Sequence, residues 1–436
     1  MKIPKQAIFK LWLVLAIFPI FSIDKVDFLG FEAQSEFAYS KILRLIWLLL
    51  VILVGTISCI HERKILRKGC MNKYSMLLLL NIFFVLVSII INTPTNVIAW
   101  YRSFELVVIQ ISLLILVTLF KHRIDLHAIC LLIAKSIIAT FWILLIVVFA
   151  LGIVDIRYIL MSEIQGRLRL GGYAYSPNAL SIFLTTVLVS MYYCLSLKKY
   201  NVFYGCAIVI LIHYMVLLTD SRTGIAVMTA IDVLFLWKNI ICVKFSSLIR
   251  KQLLAVLMTM LLILIFMVSD PYAIIEKLGS GDDPLQDLLT LNNRASIYLT
   301  AFAGIYARPM FGYGYVEGVK KFLAENYSLS YWLPPHTHNI LLEIVLSLGV
   351  IGAIPLLLYV MLSVVKVLKY LFTDNTSAHT LYLSTVIFSI LISSVTMVPI
   401  GNIVLNNGTI YYLCTYVFLS FEMHNSCGPN NYEKVL

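Results

Sequence analysis

The sequence predicts an all-α, polytopic membrane protein of about twelve transmembrane helices, and three observations carry that expectation. Of its 436 residues, 61% are hydrophobic and only 13% are charged, where a soluble domain averages about a quarter charged residues. Apolar runs of ~17–25 residues, the length that crosses a bilayer core, recur along the whole chain. Lysine and arginine gather in alternate short loops between those runs, the bias that orients multi-pass proteins. The net charge of +11 therefore faces anionic lipid headgroups, and nucleic acid is not an expected partner.

The apolar runs place spans near 7–23, 41–60, 75–92, 104–120, 128–152, 179–197, 202–218, 225–242, 252–269, 340–365, 381–398 and 410–424. Lys2, Lys5 and Lys10 precede the first run as in a signal peptide, but no small-x-small cleavage site follows, so it reads as an uncleaved span. Arg63, Lys64, Arg67, Lys68 and Lys73 fill one loop. Lys121 and Arg123, Lys198 and Lys199, then Lys238, Lys244, Arg250 and Lys251, and finally Lys366 and Lys369 follow in loops of the same side. That side is the cytoplasm, and both termini belong to it.

The opposite loops differ in character. Residues 23–40 carry Asp24, Asp27, Glu32 and Glu36, whereas 151–178 and 269–339 are long and mixed in charge. The chain thus divides into spans at 1–268, a large periplasmic loop at 269–339, and further spans with a cytoplasmic tail at 340–436. Long external loops are where binding or chemistry on that face would sit. No cysteine falls in an external loop, which suits an oxidising exterior. No CxxC or Cys/His metal spacing occurs, and Asp282, Asp283 and Asp287 read as a solvated turn rather than a hard-cation shell. No metal or other cofactor is expected.

The external basic residues are Arg157, Arg167, Arg169, Arg222, Arg294, Arg308, Lys320, Lys321, His336 and His338. Arg222 sits in the tight connection TDSRTG, where Asp220 and Ser221 can cap the next helix. So short a loop keeps Arg222 at the membrane surface, where it meets either a substrate or a lipid headgroup. Arg294 follows Asn293, an N-cap candidate, and opens a stretch in which Ile297, Tyr298, Ala301, Phe302 and Ile305 recur at helical spacing. That pattern predicts an amphipathic helix lying on the membrane. A cation at its N-terminus is unfavourable unless an anion joins it. His338 follows Pro334 and Pro335 and, with Asn339, opens the next span. Its ordinary pKa of ~6.5 lets it accept a proton near neutrality, and a histidine merely bonded to backbone fits the same place. Glu343, one turn further on, either orients the site or caps the outer end of the span. Gly349 and Gly352 read as a packing device within that span.

Four segments in order, GGYAYSPNAL, DSRTG, NRASIYLTAFAGIYARPMFGYG and HTHNILLEIVLSLGVIG, resemble the O-antigen ligase and polymerase superfamily of bacteria. The likeness spans roughly residues 165–355. It implies a GT-C-like glycosyltransferase of the inner membrane, with its active site on the periplasmic face. The donor it implies is an oligosaccharide or polysaccharide on undecaprenyl pyrophosphate. The family's arginines and histidine correspond to Arg222 and Arg294, as pyrophosphate ligands, and His338, as catalytic residue. Asn339, Arg167, Arg169, His336 and Glu343 are candidates for supporting roles. Membrane lipid is a further partner, and a chain-length regulator protein is a candidate one. No P-loop or DxD motif appears, which suits a lipid-linked donor whose pyrophosphate ester supplies the driving force. A polymerase is the expectation for the acceptor, because polymerases are the more numerous branch; a ligase transferring to lipid A–core is the alternative. The rival of another class is a flippase or transporter, which would place its polar groups at the bilayer midplane.

The orientation can be checked directly. Single cysteines placed within 269–339 should react with an impermeant maleimide in intact spheroplasts. Labelling only after lysis would overturn the map.

Overall fold

The computed structural model describes residues 10–15, 39–61, 72–121, 125–154, 156, 159–162, 168–171, 176–241, 294–327, 334–373, 376–400 and 406–421. The expected span at 252–269, Arg157, Arg167, Asn293 and the aspartates at 282–287 lie outside them. The helices are α1 (Tyr39–His61), α2 (Lys73–Asn92), α3 (Val97–Lys121), α4 (Leu126–Val154), α5 (Pro177–Ser196), α6 (Val202–Leu218), α7 (Arg222–Ile241), α8 (Arg294–Ala307), α9 (Glu317–Asn326), α10 (Ile340–Phe372), α11 (Ala378–Ser393) and α12 (Asn406–Ser420). Between α4 and α5 lies an antiparallel hairpin of β1 (Leu160–Ser162) and β2 (Leu168–Leu170), which hydropathy did not foretell.

The protein is a helical, multi-pass membrane protein. Among the described residues, five helices are long and apolar enough to cross a membrane: Lys73–Asn92, Val97–Val117, Leu126–Ala150, Pro177–Ser196 and Ile340–Phe372. The expected spans from 41–60 to 225–242 and from 340–365 onward each coincide with a helix. Where boundaries differ, polar residues explain it. The helix α3 begins well before 104 because Arg102 and Glu105 neutralise one another across a turn at 3.1 Å. The helix α10 runs past 365 because Lys366 reaches the Phe418 carbonyl of α12, 2.9 Å away. The helix α11 stops at Ser393, short of 398.

One continuous apolar core joins these helices. α5 lies at its centre, packed on α4, α6, α7 and α11, and its Phe183, Val187, Met191 and Cys194 are buried. A polar tie crosses three of the helices. Tyr192 on α5 donates to Asp232 Oδ1 on α7 at 2.7 Å, and Asp232 Oδ2 meets His213 Nε2 on α6 at 2.9 Å. The other ring nitrogen of His213 bonds the Val209 carbonyl at 2.8 Å. Buried ionisable groups are costly in a membrane and are found paired, as here.

A second, smaller core holds α8 and α9 against α10. Ile297 and Ala301 of α8 pack with Val319, Phe322 and Leu323 of α9 and Leu346 of α10. The helix α8 has a second apolar face, since Leu299, Phe302 and Tyr306 are exposed. The single stripe expected from Ile297 to Ile305 is thus two: Phe302 points away from Ile297 and Ala301.

The helix α10 is interrupted. Gly349 takes φ 70° and ψ 175°, outside the helical region. The break frees backbone groups that hydrocarbon cannot satisfy, and the segment between α8 and α9 supplies their partners. Tyr313 and Gly314 donate to the Leu346 and Ser347 carbonyls at 2.9 and 3.0 Å, and Val350 donates to the Pro309 carbonyl at 2.7 Å. From α2, the Ser88 hydroxyl adds a bond to the Ser347 carbonyl at 3.0 Å, and the Asn92 amide one to the Phe311 carbonyl at 3.2 Å. Gly349 is therefore a deliberate break, correcting its reading as a packing residue. Gly352 is buried and faces Phe84 of α2, where a Cβ would make ordinary contact at 3.5 Å.

A methyl group at Gly349 would fall 2.2 Å from the Met310 carbonyl oxygen, on a backbone that disfavours any side chain. Gly349→Ala should therefore destabilise the protein by about 1–3 kcal/mol or more. Gly55→Ala, whose Cβ would meet only Ser112 Oγ at 3.4 Å, should be nearly neutral. Thermal unfolding of the detergent-purified variants compares the two, and equal melting temperatures would contradict the account.

Candidate functional site

The turn between α6 and α7 is built to start a helix abruptly. Asp220 adopts a left-handed backbone, φ 49°, and Ser221 Oγ accepts the Gly224 N–H at 3.2 Å, capping α7. Of the two cap candidates, Ser221 is the one used. Ser221 also lies 3.0 Å from the Ser181 hydroxyl of α5. A Cβ on Gly224 would come within 2.4 Å of Ser181 Cβ, so glycine is what lets the two helices touch. Arg222 is the first residue of α7.

Arg169 on β2 braces this turn. Its Nε donates to the Thr219 carbonyl at 2.8 Å, and Nη2 to Asn178 Oδ1 at 3.0 Å and the Asp220 carbonyl at 3.3 Å. It thereby takes up carbonyls at the end of α6. Arg169 thus touches the connection that launches Arg222, and Asn178 of the SPNAL stretch is its anchor.

The histidine segment forms a second tight turn, against the end of α11. Asn339 caps α10 by accepting from the Leu341 and Leu342 N–H groups at 2.9 and 3.2 Å, and its amide donates to the Val395 carbonyl at 3.3 Å. Ile340 donates to the Ser394 carbonyl at 3.1 Å. Thr337 N–H donates to the buried Glu343 carboxylate at 2.9 Å. His338 is held at φ 58°, a conformation rare outside glycine. Its N–H donates to His336 Nδ1 at 3.2 Å, and the two rings lie 4.2 Å apart. The His338 ring nitrogens are screened from solvent although part of the residue stays exposed, and the Thr396 backbone faces the ring.

Two links close the site. The Thr223 hydroxyl, next to Arg222, pairs with the Thr396 hydroxyl at 2.7 Å, joining the start of α7 to the turn that faces His338. Arg294, the first residue of α8, is near enough to repel both Arg222 and the two histidines. Burial, offset by Tyr298 and reinforced by Arg222, lowers the Arg294 pKa. Burial and Arg294 push His336 down to about 4. Burial, His336 and Arg294 hold His338 well below the usual imidazole range, and the Thr396 backbone opposes them. Arg294 thus stands between Arg222 and two imidazoles held neutral, an arrangement that can take an anion on the guanidinium forks and a proton on a ring.

Arg222, Arg294, His336 and His338 come together, and Asn339, Glu343 and Arg169 hold the segments that carry them. Arg308, stacked 4.7 Å from the Tyr313 ring, and Lys321, 3.8 Å from Glu325, belong to the segment of α8 and α9. Thr223, Thr337 and Thr396 are partners that sequence reading missed. The only signal for Thr396 was a polar Ser-Ser-Val-Thr inside an apolar run.

Residues 206–357 match the family model described as O-antigen ligase. The matched stretch runs from α6 past the break in α10 and contains Arg222, Arg294, His336, His338 and Glu343; Arg169 lies outside it. A comparison with curated proteins gives no match.

The depressed histidine pKa values have a kinetic consequence. A base must be unprotonated, so activity should be lost only as pH falls through a value below the ordinary ~6.5. Removing the charge in Arg294→Gln should raise the histidine pKa and move the acid limb of residual kcat/KM upward. Arg294→Lys should leave that limb in place. An acid limb at or above 6.5 in the wild type, or one unmoved by Arg294→Gln, would contradict this electrostatic account.

Proposed function

We propose that the protein is a membrane glycosyltransferase that moves a glycan from a polyprenyl pyrophosphate donor at the outer face of the membrane, with the glycan-transfer role in O-antigen assembly that the matched family model suggests. The observation that carries this reading is the meeting of Arg222, Arg294, His336 and His338 at one end of the bundle, drawn from segments far apart in sequence.

The chemistry follows from that grouping. The bond between the sugar and the pyrophosphate oxygen breaks, and the leaving pyrophosphate keeps the electron pair. Arg222 and Arg294 bind it as bidentate forks and stabilise the growing charge where water is limited. The acceptor hydroxyl forms the new glycosidic bond and gives its proton to His338. Burial, with His336 and Arg294 beside it, keeps that imidazole neutral before the proton arrives. Burial of the ring nitrogens also restrains water, whose attack would waste the donor by hydrolysis.

The ligase reading of the acceptor is favoured over the polymerase one. The matched model is described as O-antigen ligase, whereas the polymerase expectation rested on how numerous those enzymes are. A ligase joins the finished chain to lipid A–core.

A clean deletion tests donor and acceptor together. Without a ligase, long chains should accumulate on undecaprenyl pyrophosphate while the surface lipid keeps a bare core. Wild-type protein should restore the long surface glycolipid on a gel, and Arg222→Lys, Arg294→Lys and His338→Ala should not, at normal membrane abundance. Surface lipid bearing one repeat unit would make the protein a polymerase. Single units trapped at the cytoplasmic face would make it a flippase.

A further inference from the structure

We propose that Glu343 is a positioning residue for His338: its buried carboxylate accepts the Thr337 N–H at 2.9 Å and so fixes the turn that holds His338 in a left-handed backbone. The inference rests on the assignment of His338 as the base and adds to it a residue that never meets a substrate.

Holding a non-glycine residue at positive φ costs about 1–3 kcal/mol, and such a conformation persists only where its surroundings over-determine it. The turn from Thr337 to Asn339 meets that condition. The Thr337 hydroxyl donates to the Asn339 carbonyl at 2.9 Å. His338 N–H is taken by His336 Nδ1, the Asn339 side chain caps α10, and Ile340 N–H is taken by Ser394. Thr337 N–H points the other way, into the protein, and Glu343 is its acceptor. Thr337 and Glu343 are both wholly buried.

The choice of residue is itself informative. A leucine at 343 would fill the space without the cost of burying a carboxylate. The bond to the Thr337 amide offsets part of that cost, as does the first turn of α10, whose N-terminal dipole favours a negative group. The carboxylate also stands near Tyr315, at the end of the loop that docks on the Gly349 break. A shift of about 1 Å in a base can cost about 10²-fold in rate, so a modest loosening of this turn is enough to matter.

Three variants and a double-mutant cycle test the idea on the full-length protein in detergent or nanodiscs. Glu343→Gln keeps an oxygen in place for the Thr337 N–H and should retain kcat within about threefold. Glu343→Asp withdraws the acceptor by one methylene, and Glu343→Leu removes it; both should lower kcat by about 10–10²-fold. Binding of undecaprenyl pyrophosphate, measured without turnover, should stay within about threefold in all three, because the arginines are untouched. In a His338→Ala background, Glu343→Asp should cost nothing further, since a residue that acts only through His338 has nothing left to position. Full activity of Glu343→Asp, an equal loss in the presence and absence of His338, or a Gln variant as damaged as Asp would each overturn the proposal. Near-normal activity of His338→Ala alone would instead overturn the assignment of the base, so the two failures are distinguishable.

Discussion

Where α10 leaves the helical path at Gly349, its backbone carbonyls need partners that lipid cannot give. The Met310–Gly314 loop provides them, and the placement of α8 and α9 against α10 follows from that pairing. The loop is the direct continuation of α8, so docking it on α10 sets where Arg294, at the far end of α8, can lie. The segment of α10 between Asn339 and Gly349 spans about 15 Å and is pinned at both ends. The loop holds its Gly349 end, and the 394–396 turn after α11 holds its Asn339 end. The arginine and the histidine are thus fixed by two ends of one short helical piece, and Gly312, whose Cβ would fall 2.5 Å from the Leu346 carbonyl, keeps the approach close.

The electrostatics of the site have a matching logic. Arg222 repels Arg294, and Arg294 in turn disfavours protonation of His336 and His338 beyond what burial already does, so the site favours an incoming negative group. Both arginines begin helices, whose free N–H groups add to the same sign. An anion entering there relieves repulsion on several sides at once, and it also makes the neighbouring imidazoles more basic as it arrives. Anion binding and histidine basicity are thereby coupled by charge alone.

Much of this was legible in the sequence because hydropathy and capping are local. The helices from α1 to α7 and from α10 to α12 follow apolar runs, and Asn339 announces a helix start just after Pro334 and Pro335. The grouping of Arg222, Arg294 and His338 followed from the order of motifs, whereas their mutual distances did not. What stayed hidden is what depends on partners remote in the chain. Gly349 in an apolar run looks like any small residue of a packed span until the loop at 309–314 is placed against it. Ser394–Thr396 sat unnoticed within an expected span, because its role is to receive Asn339, Ile340 and His338 from elsewhere. Arg169 is external and basic in sequence, and only the three-dimensional turn shows that its guanidinium is spent on the Thr219 and Asp220 carbonyls.

The pairing of Asp232 with His213 and Tyr192 bears on how the chain enters the bilayer during synthesis. An aspartate near the middle of a span opposes insertion by about 2.5–3.5 kcal/mol, so α7 is a poor candidate for entering lipid alone. Its partner His213 lies on the helix immediately before it, across a connection of only Thr219, Asp220 and Ser221. The two helices can therefore leave the translocation machinery as a single hairpin, with the carboxylate already neutralised by a neighbour made moments earlier. The same short connection that places Arg222 at the start of α7 thus makes α6 the chaperone, in cis, of the helix that carries it.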